Sequence, residues 1–160
     1  MTGLLRKLLV VVNGAESSIS AVKFAIALQR DLGSRILAVY VVDTQAIRQL
    51  AMSRIFVDEE SEEYFRSLLE TGRRYLLYAE ELARQKGGTL SSRLLQGSVS
   101  SEAIHFAEQE GVDAILVGGW ERSSTIRDIL AEENREIART ARCPVLIVRG
   151  AGAENAYDSL

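Results

Sequence analysis

The sequence predicts an α/β fold: one doubly wound, Rossmann-like parallel sheet of five strands with helices on both faces. Three observations predict it. Short apolar runs rich in Val, Ile and Leu take turns with longer stretches of helical periodicity, in the order β-α-β-α-β-α-β-α-β. Most of those runs are continuous rather than alternating, as strands covered on both faces require. A chain of 160 residues with one proline, Pro144, has room for one core and no obvious linker.

The first run, Lys7 to Val12, is followed by the turn residues Asn13 and Gly14. Ser17 and Ser18 are candidate N-caps for a helix whose apolar side carries Ile19, Val22, Ala25 and Ile26 and which stops at Gly33. Arg35 to Val42 is the second buried strand. Residues 44–57 are mixed and lack caps, so a loop with a short helical piece is expected there. From Asp58 to Gly87 the pattern is helical, with Tyr64, Leu68, Tyr75, Ala79 and Leu82 in approximate register. Acidic residues at its start and Arg84 and Lys86 at its end suit the helix dipole. Thr89 to Leu95 alternates polar and apolar residues, as an edge strand does. Gly97 to Gly111 is a helix, Ala114 to Val117 the fourth strand, Ile126 to Thr140 the last helix and Val145 to Val148 the fifth strand. Residues 150–160 lack periodicity and bulk and read as a flexible C-terminal tail on a domain of residues 1–149.

Composition narrows the function. A net charge of −3 has the wrong sign for a nucleic-acid binder, and no run of Lys and Arg offsets it. The apolar stretch Leu8 to Val12 is too short for a signal peptide or a membrane span. Cys143 is the single cysteine, so no internal disulfide forms, and a reducing compartment, the cytoplasm, is expected. A doubly wound sheet binds ligands beyond the carboxyl ends of its strands, where strand order reverses. The turns after Val12 and Val117 are the places to look.

At those turns the chain resembles the universal stress protein family. Val10-Val-Val-Asn-Gly-Ala-Glu-Ser-Ser18 resembles the family's opening strand and turn. Gly97 and Glu110-Gly-Val-Asp-Ala-Ile-Leu-Val-Gly-Gly119 resemble its third helix and fourth strand, and Ala141-Arg-Cys-Pro-Val-Leu-Ile-Val-Arg149 its last strand. The resemblance covers residues 5 to 149. It implies a sheet ordered 3-2-1-4-5, a role in stress adaptation, and in many members a homodimer joined along the last strand, here Val145, Leu146, Ile147 and Val148. It also makes Val12, Asn13, Gly14, Val41, Gly118, Gly119 and Trp120 the candidate contacts for a nucleotide such as ATP or AMP.

One branch of the family binds ATP through Gly, two residues, Gly, nine residues, then Gly with Ser or Thr. Glycines let backbone N–H groups approach phosphates, and the hydroxyl adds a donor. In this chain the first glycine is Gly118, but the later positions hold Glu121, Ala131 and Glu132. An aspartate common after the first strand of ATP binders is here Asn13. A like-charge pair about 4 Å apart costs roughly 1 kcal/mol in water and about 4 kcal/mol at an effective dielectric near 20. Two such pairs, from Glu121, Glu132 or Glu133, would remove most of the roughly 8 kcal/mol of a micromolar complex.

Other residues have plainer readings. Asn13-Gly14 is either a ligand-side loop or a turn closing a strand. His105, the only histidine, has no Ser, Asp or Cys at a useful spacing and reads as a helix-face residue. Cys143 before Pro144 reads as packing rather than a reactive thiol. The acidic run Asp58 to Glu63 lacks the ligand spacing of a calcium loop and reads as a solvated helix start. Trp120 is open between stacking on a base, filling the pocket and capping the core. Arg122, Ser123, Ser124 and Thr125 favour helix capping over an anion site. With no metal scaffold, no glycine loop with lysine and no catalytic histidine in view, the expectation is a non-catalytic stress-response or regulatory homodimer with weak or no ATP binding. The alternative is a nucleotide sensor for ATP, AMP or a cyclic nucleotide, with a divergent pocket after strands 1 and 4; weak hydrolysis stays open.

Overall fold

The computed structural model describes residues 3–53, 58–120 and 125–160. Its elements are β1 (Lys7–Val12), α1 (Glu16–Leu32), β2 (Arg35–Asp43), α2 (Thr44–Met52), α3 (Asp58–Gln85), β3 (Ser91–Gly97), α4 (Val99–Glu110), β4 (Ala114–Gly118), α5 (Thr125–Thr140), β5 (Val145–Val148) and α6 (Gly152–Asp158). The five strands pair in parallel in the order β3-β2-β1-β4-β5. That is the α/β sheet and the strand order expected.

β1 lies centrally because its side chains have an apolar partner on each face. Leu8, Val10 and Val12 pack with Val22, Ala25 and Ile26 of α1 and Leu76, Ala79 and Leu82 of α3. Leu9 and Val11 point the other way and pack with Phe106 and Ala107 of α4 and Ile137 of α5. Period-two alternation thus feeds two cores, which is why the run shows no polar gaps. β3, with its alternating exposure, forms one edge, and β5 forms the other.

Two local expectations are corrected. Ser17 and Ser18 are not N-caps: Ala15 holds that position, and both serines lie inside α1. Ser18 is instead fully buried and closes the β1–α1 turn. Its Oγ accepts the Asn13 N–H at 3.1 Å and lies 2.9 Å from the Asn13 and Ala15 carbonyl oxygens. At the other end Gly33 does terminate α1, with φ of 70° and its N–H on the Gln29 carbonyl.

The second correction is the tail. Residues 152–158 form α6, which lies against α1 with Ala153 and Tyr157 buried in the first core. Tyr157 donates its hydroxyl to the Leu82 carbonyl of α3 at 2.7 Å. Lys23 of α1 pairs with Glu154 at 2.5 Å, and Ser20 donates to the same carboxylate at 3.0 Å. A seven-residue helix has little stability of its own. Its order comes from these tertiary contacts, which composition cannot reveal. Residues 44–52 form the short helix α2 within the stretch expected to be mostly loop, and residues 54–57 lie outside the described residues. Among the described residues, no helix is long and apolar enough to cross a membrane.

Candidate functional site

The sheet order reverses between β1 and β4, and the ligand-side turns of the fold meet there. A cleft of about 440 Å³ opens beside it, at the carboxyl ends of β4 and β5. Its walls are the start of α1 (Ala15, Glu16, Ser17 and Ser20), the β4 exit (Gly119 and Trp120), α5 (Ala131 and Asn134) and the β5 exit (Val148, Arg149 and Gly150). That volume falls in the range of small-molecule pockets.

Gly118 makes this geometry attainable. A Cβ there would lie 2.5 Å from the Ser17 carbonyl carbon and hydroxyl and 2.6 Å from its carbonyl oxygen. The end of β4 therefore meets the α1 backbone at a distance only glycine permits. The Gly118 carbonyl accepts the Asn134 side-chain amide at 3.0 Å, and Asn134 is 3% exposed. β4 pairs with β5 so that Gly118 lies opposite Val148, which brings the stem of Arg149 across the space a Gly119 side chain would need. Trp120 is half-buried, with the Arg135 guanidinium 5.3 Å from its ring centre.

The sequence-predicted contacts separate into two groups. Gly119 and Trp120 line the cleft, and Gly118 shapes it from behind. Val12 and Val41 are buried strand residues, and neither they nor Asn13 and Gly14 line the cleft. Asn13 turns its side chain inward: Oδ1 accepts the Ala15 N–H at 2.9 Å, the bond of an Asx turn. Gly14 sits by the Tyr75 hydroxyl, and Tyr75 stacks on Tyr40 with ring centres 6.0 Å apart. Burial first, and then the neighbouring Tyr75 and Tyr64 phenols, push the Tyr40 hydroxyl above its ordinary pKa.

The positions of the glycine motif are recast. Ala131 places a buried methyl in the cleft wall. Glu132 is exposed and paired with Arg135 at 3.6 Å, and it is not among the lining residues. The Glu133 carboxylate accepts the Ser100 N–H at 3.1 Å, capping the positive end of α4. The repulsion expected from Glu132 and Glu133 is thereby reduced, since one faces solvent and the other is engaged. Glu121, like Arg122, Ser123 and Ser124, lies outside the described residues. Among the described residues, the carboxylate that lines the cleft is that of Glu16.

His105 is exposed on α4. The Cys143 thiol is pushed above its ordinary pKa, chiefly by burial and further by Asp113 and Glu108, which suits a packing role. Glu59, Glu60, Glu62 and Glu63 are exposed at the start of α3. Along β5, Val145 packs against the second core and Leu146 against the first; Val148 is buried, and Ile147 is 39% exposed.

Sequence reasoning missed Asn134, Ser17, Ser20, Glu16 and Arg149. Asn134 had a signal: it is three residues from Ala131 and from Ile137, a neutral amide in a buried stripe. Arg149 had none, because its approach to Gly119 depends on strand register.

Residues 5–149 match the universal stress protein family. The chain belongs to that family. A universal stress protein of Methanocaldococcus jannaschii is 28% identical over 147 residues, covering 91% of this chain and 83% of its own. The structure of the universal stress protein UspA from Lactobacillus plantarum, 17% identical, superposes with a TM-score of 0.75 over 92% of this chain and all of its own. A universal stress protein solved in complex with cAMP is 18% identical, with a TM-score of 0.59 over 91% of this chain and 97% of its own.

Proposed function

We propose that this universal stress protein is a non-catalytic regulatory module of the cytoplasm that binds ATP weakly or not at all and acts as a homodimer. The observation that carries the reading is the recast turn of α5. Where ATP-binding members resemble one another in a glycine and a hydroxyl, this chain has the Ala131 methyl, an outward Glu132 paired with Arg135, and a Glu133 engaged at α4. Backbone cannot approach a phosphate past a buried methyl as it can past glycine, and no hydroxyl replaces the lost donor. Calorimetry with ATP and magnesium tests this. We expect a dissociation constant well above about 10 μM, near 7 kcal/mol; a tighter complex overturns the reading.

The homodimer is supported by β5. It is an edge strand of four uncharged apolar residues, and α6 folds back on α1 toward α3. An open edge of this kind favours pairing with a second copy about a two-fold axis.

A second reading is favoured by the cleft itself: the module senses a nucleotide other than ATP. Trp120, Arg149 and the start of α1 converge there, and a protein of the same family and fold takes cAMP. Mass spectrometry of the denatured purified protein would identify a carried nucleotide.

A further inference from the structure

α6 occupies a groove between α1 and the end of α3, and the charges of groove and helix are complementary. On the α1 side Lys23 pairs with Glu154, and Ser20 donates to the same carboxylate. The Asp158 charge also acts on Lys23. On the α3 side the Leu82 carbonyl accepts the Tyr157 hydroxyl. The Lys23 and Lys86 ammonium groups lie 5.3 and 4.9 Å from the centre of the Tyr157 ring. The helix Gly152–Asp158 thus brings Glu154 and Asp158, and no cation, to a groove that presents two lysines.

The connection to this helix is loose, and the groove is longer than its occupant. Gly150-Ala151-Gly152 joins α6 to β5; Gly150 has φ of 76°, and a side chain at either glycine would meet open space. Such a segment is a hinge. A helix of seven residues has little stability outside its groove, so undocking and unfolding are one event. A hollow of about 300 Å³ continues the groove, with Leu160, just past the last turn of α6, on one wall. Ile26, Arg30, Lys86 and Gly87 form other parts of its walls, and Arg30 also donates to the Lys86 carbonyl at 2.9 Å. This extension is basic like the rest of the groove, and α6 does not fill it.

We propose that this groove is a docking surface for an acidic amphipathic helix of a partner protein, about a turn longer than α6, and that α6 is its displaceable occupant. The pattern it recognises is the one α6 displays: a small apolar residue, a carboxylate beside it and a tyrosine three residues after the carboxylate, as in Ala153, Glu154 and Tyr157. A further turn carries an apolar side chain toward Ile26 and carboxylates toward Arg30 and Lys86. That turn is what lets a partner win. A short flexible linker holds α6 in place at an effective concentration of about millimolar order, and a free helix with the same contacts cannot compete with it. The surface borders the cleft at Ser20 and Gly150 but lies outside the functions proposed above.

The test begins with hydrogen exchange on the wild-type full chain. The Asn155 and Ser159 amides, bonded to the Ala151 and Asn155 carbonyls, should exchange about tenfold faster, or more, than amides in the middle of α1. Equal rates would make α6 part of the cooperative core and overturn the proposal. Fluorescence anisotropy then compares two labelled peptides, residues 150–160 and the same segment extended by Leu-Glu-Glu-Leu. The extended peptide should bind wild type about tenfold more tightly than the short one, which competes with a tethered copy of itself. Tyr157→Ala loosens the tethered helix and leaves the groove walls intact, so both peptides should gain about tenfold, and adding Lys23→Glu should remove the gain. No binding of either peptide to Tyr157→Ala at about 1 mM, or full binding when Lys23→Glu is added, overturns the proposal. If Tyr157→Ala does not fold, the two peptides on wild type decide alone, and equal affinities or no binding overturn it. A mass by light scattering that falls from dimer to monomer in Tyr157→Ala would assign the groove to α6 of a second copy and overturn the partner helix.

Discussion

Replacing Gly118 with alanine should be among the most damaging single-methyl changes in this protein. The new Cβ would sit 2.5–2.6 Å from three atoms of Ser17, two of them backbone, where ordinary contact begins near 3.4 Å. No rotamer relieves such an overlap, so α1 must retreat from β4 by most of an ångström. That helix packs Ala21, Val22, Ala25 and Ile26 into the first core, and a retreat loosens all four. Overpacking of a tight interior costs about 1–3 kcal/mol, and a backbone clash belongs at the upper end, about 3 kcal/mol. For a chain of this length each kcal/mol lowers the melting temperature by about 2–4 °C, so a drop of about 6–12 °C is expected. Differential scanning calorimetry reads it directly. Gly14→Ala is the matched control, because its Cβ would lie 3.7 Å from the Tyr75 hydroxyl, an ordinary contact, and it should leave the melting temperature nearly unchanged. A Gly118→Ala protein melting within about 2 °C of wild type would refute the claim that this approach requires glycine.

Asn134→Ala should cost about 1–3 kcal/mol in urea unfolding, because the Gly118 carbonyl loses its buried donor; a change under 0.5 kcal/mol would show that water replaces it. Tyr157→Phe should cost about 1 kcal/mol and raise amide exchange in α6, since the bond to the Leu82 carbonyl and the longer 3.4 Å contact with Gln85 Oε1 are removed. The hydrogen bond to Lys23 holds the Glu154 carboxyl below its ordinary value of 4.5, and the same bond raises Lys23 above 10.5. The carboxylate's contribution is therefore present above about pH 4.5 and fades as pH falls through the lowered value; the lysine's is present below about pH 10.5 and fades as pH rises through the raised one. Stability of wild type relative to Glu154→Gln should be flat between those limits and decline outside them; a difference that grows between pH 6 and 8 would contradict the assignment. For the homodimer, light scattering should give about twice the 17.6 kDa chain mass, and Ile147→Asp should return a monomer; a wild-type monomer at tens of micromolar would remove β5 as the interface.

The strands were legible because burial on both faces writes itself into composition. Leu8 through Val12 can carry no polar residue when successive side chains enter two different cores. Helix ends marked by Gly33 and Gly111 were legible for a similarly local reason, since each adopts a positive φ that glycine tolerates. Family membership followed from several such segments in order. The role of Gly118 was half legible: its place after a buried strand pointed to the site, but the α1 backbone behind it did not show. Asn134 carried a readable sign, an amide spaced three residues from buried Ala131 and Ile137, although its acceptor is a carbonyl 16 residues earlier. What only the tertiary structure decided is the content of the cleft and the fate of the C-terminus. Arg149 reaches Gly119 because β4 and β5 pair with Gly118 opposite Val148, and Glu133 caps α4 because two helices happen to pack there. Residues 152–158 are helical because Tyr157, Glu154 and Ala153 find α1 and α3, not because seven residues with this composition favour a helix. Periodicity along the chain reports how much of each residue is buried, and it carries no record of which distant atom does the burying.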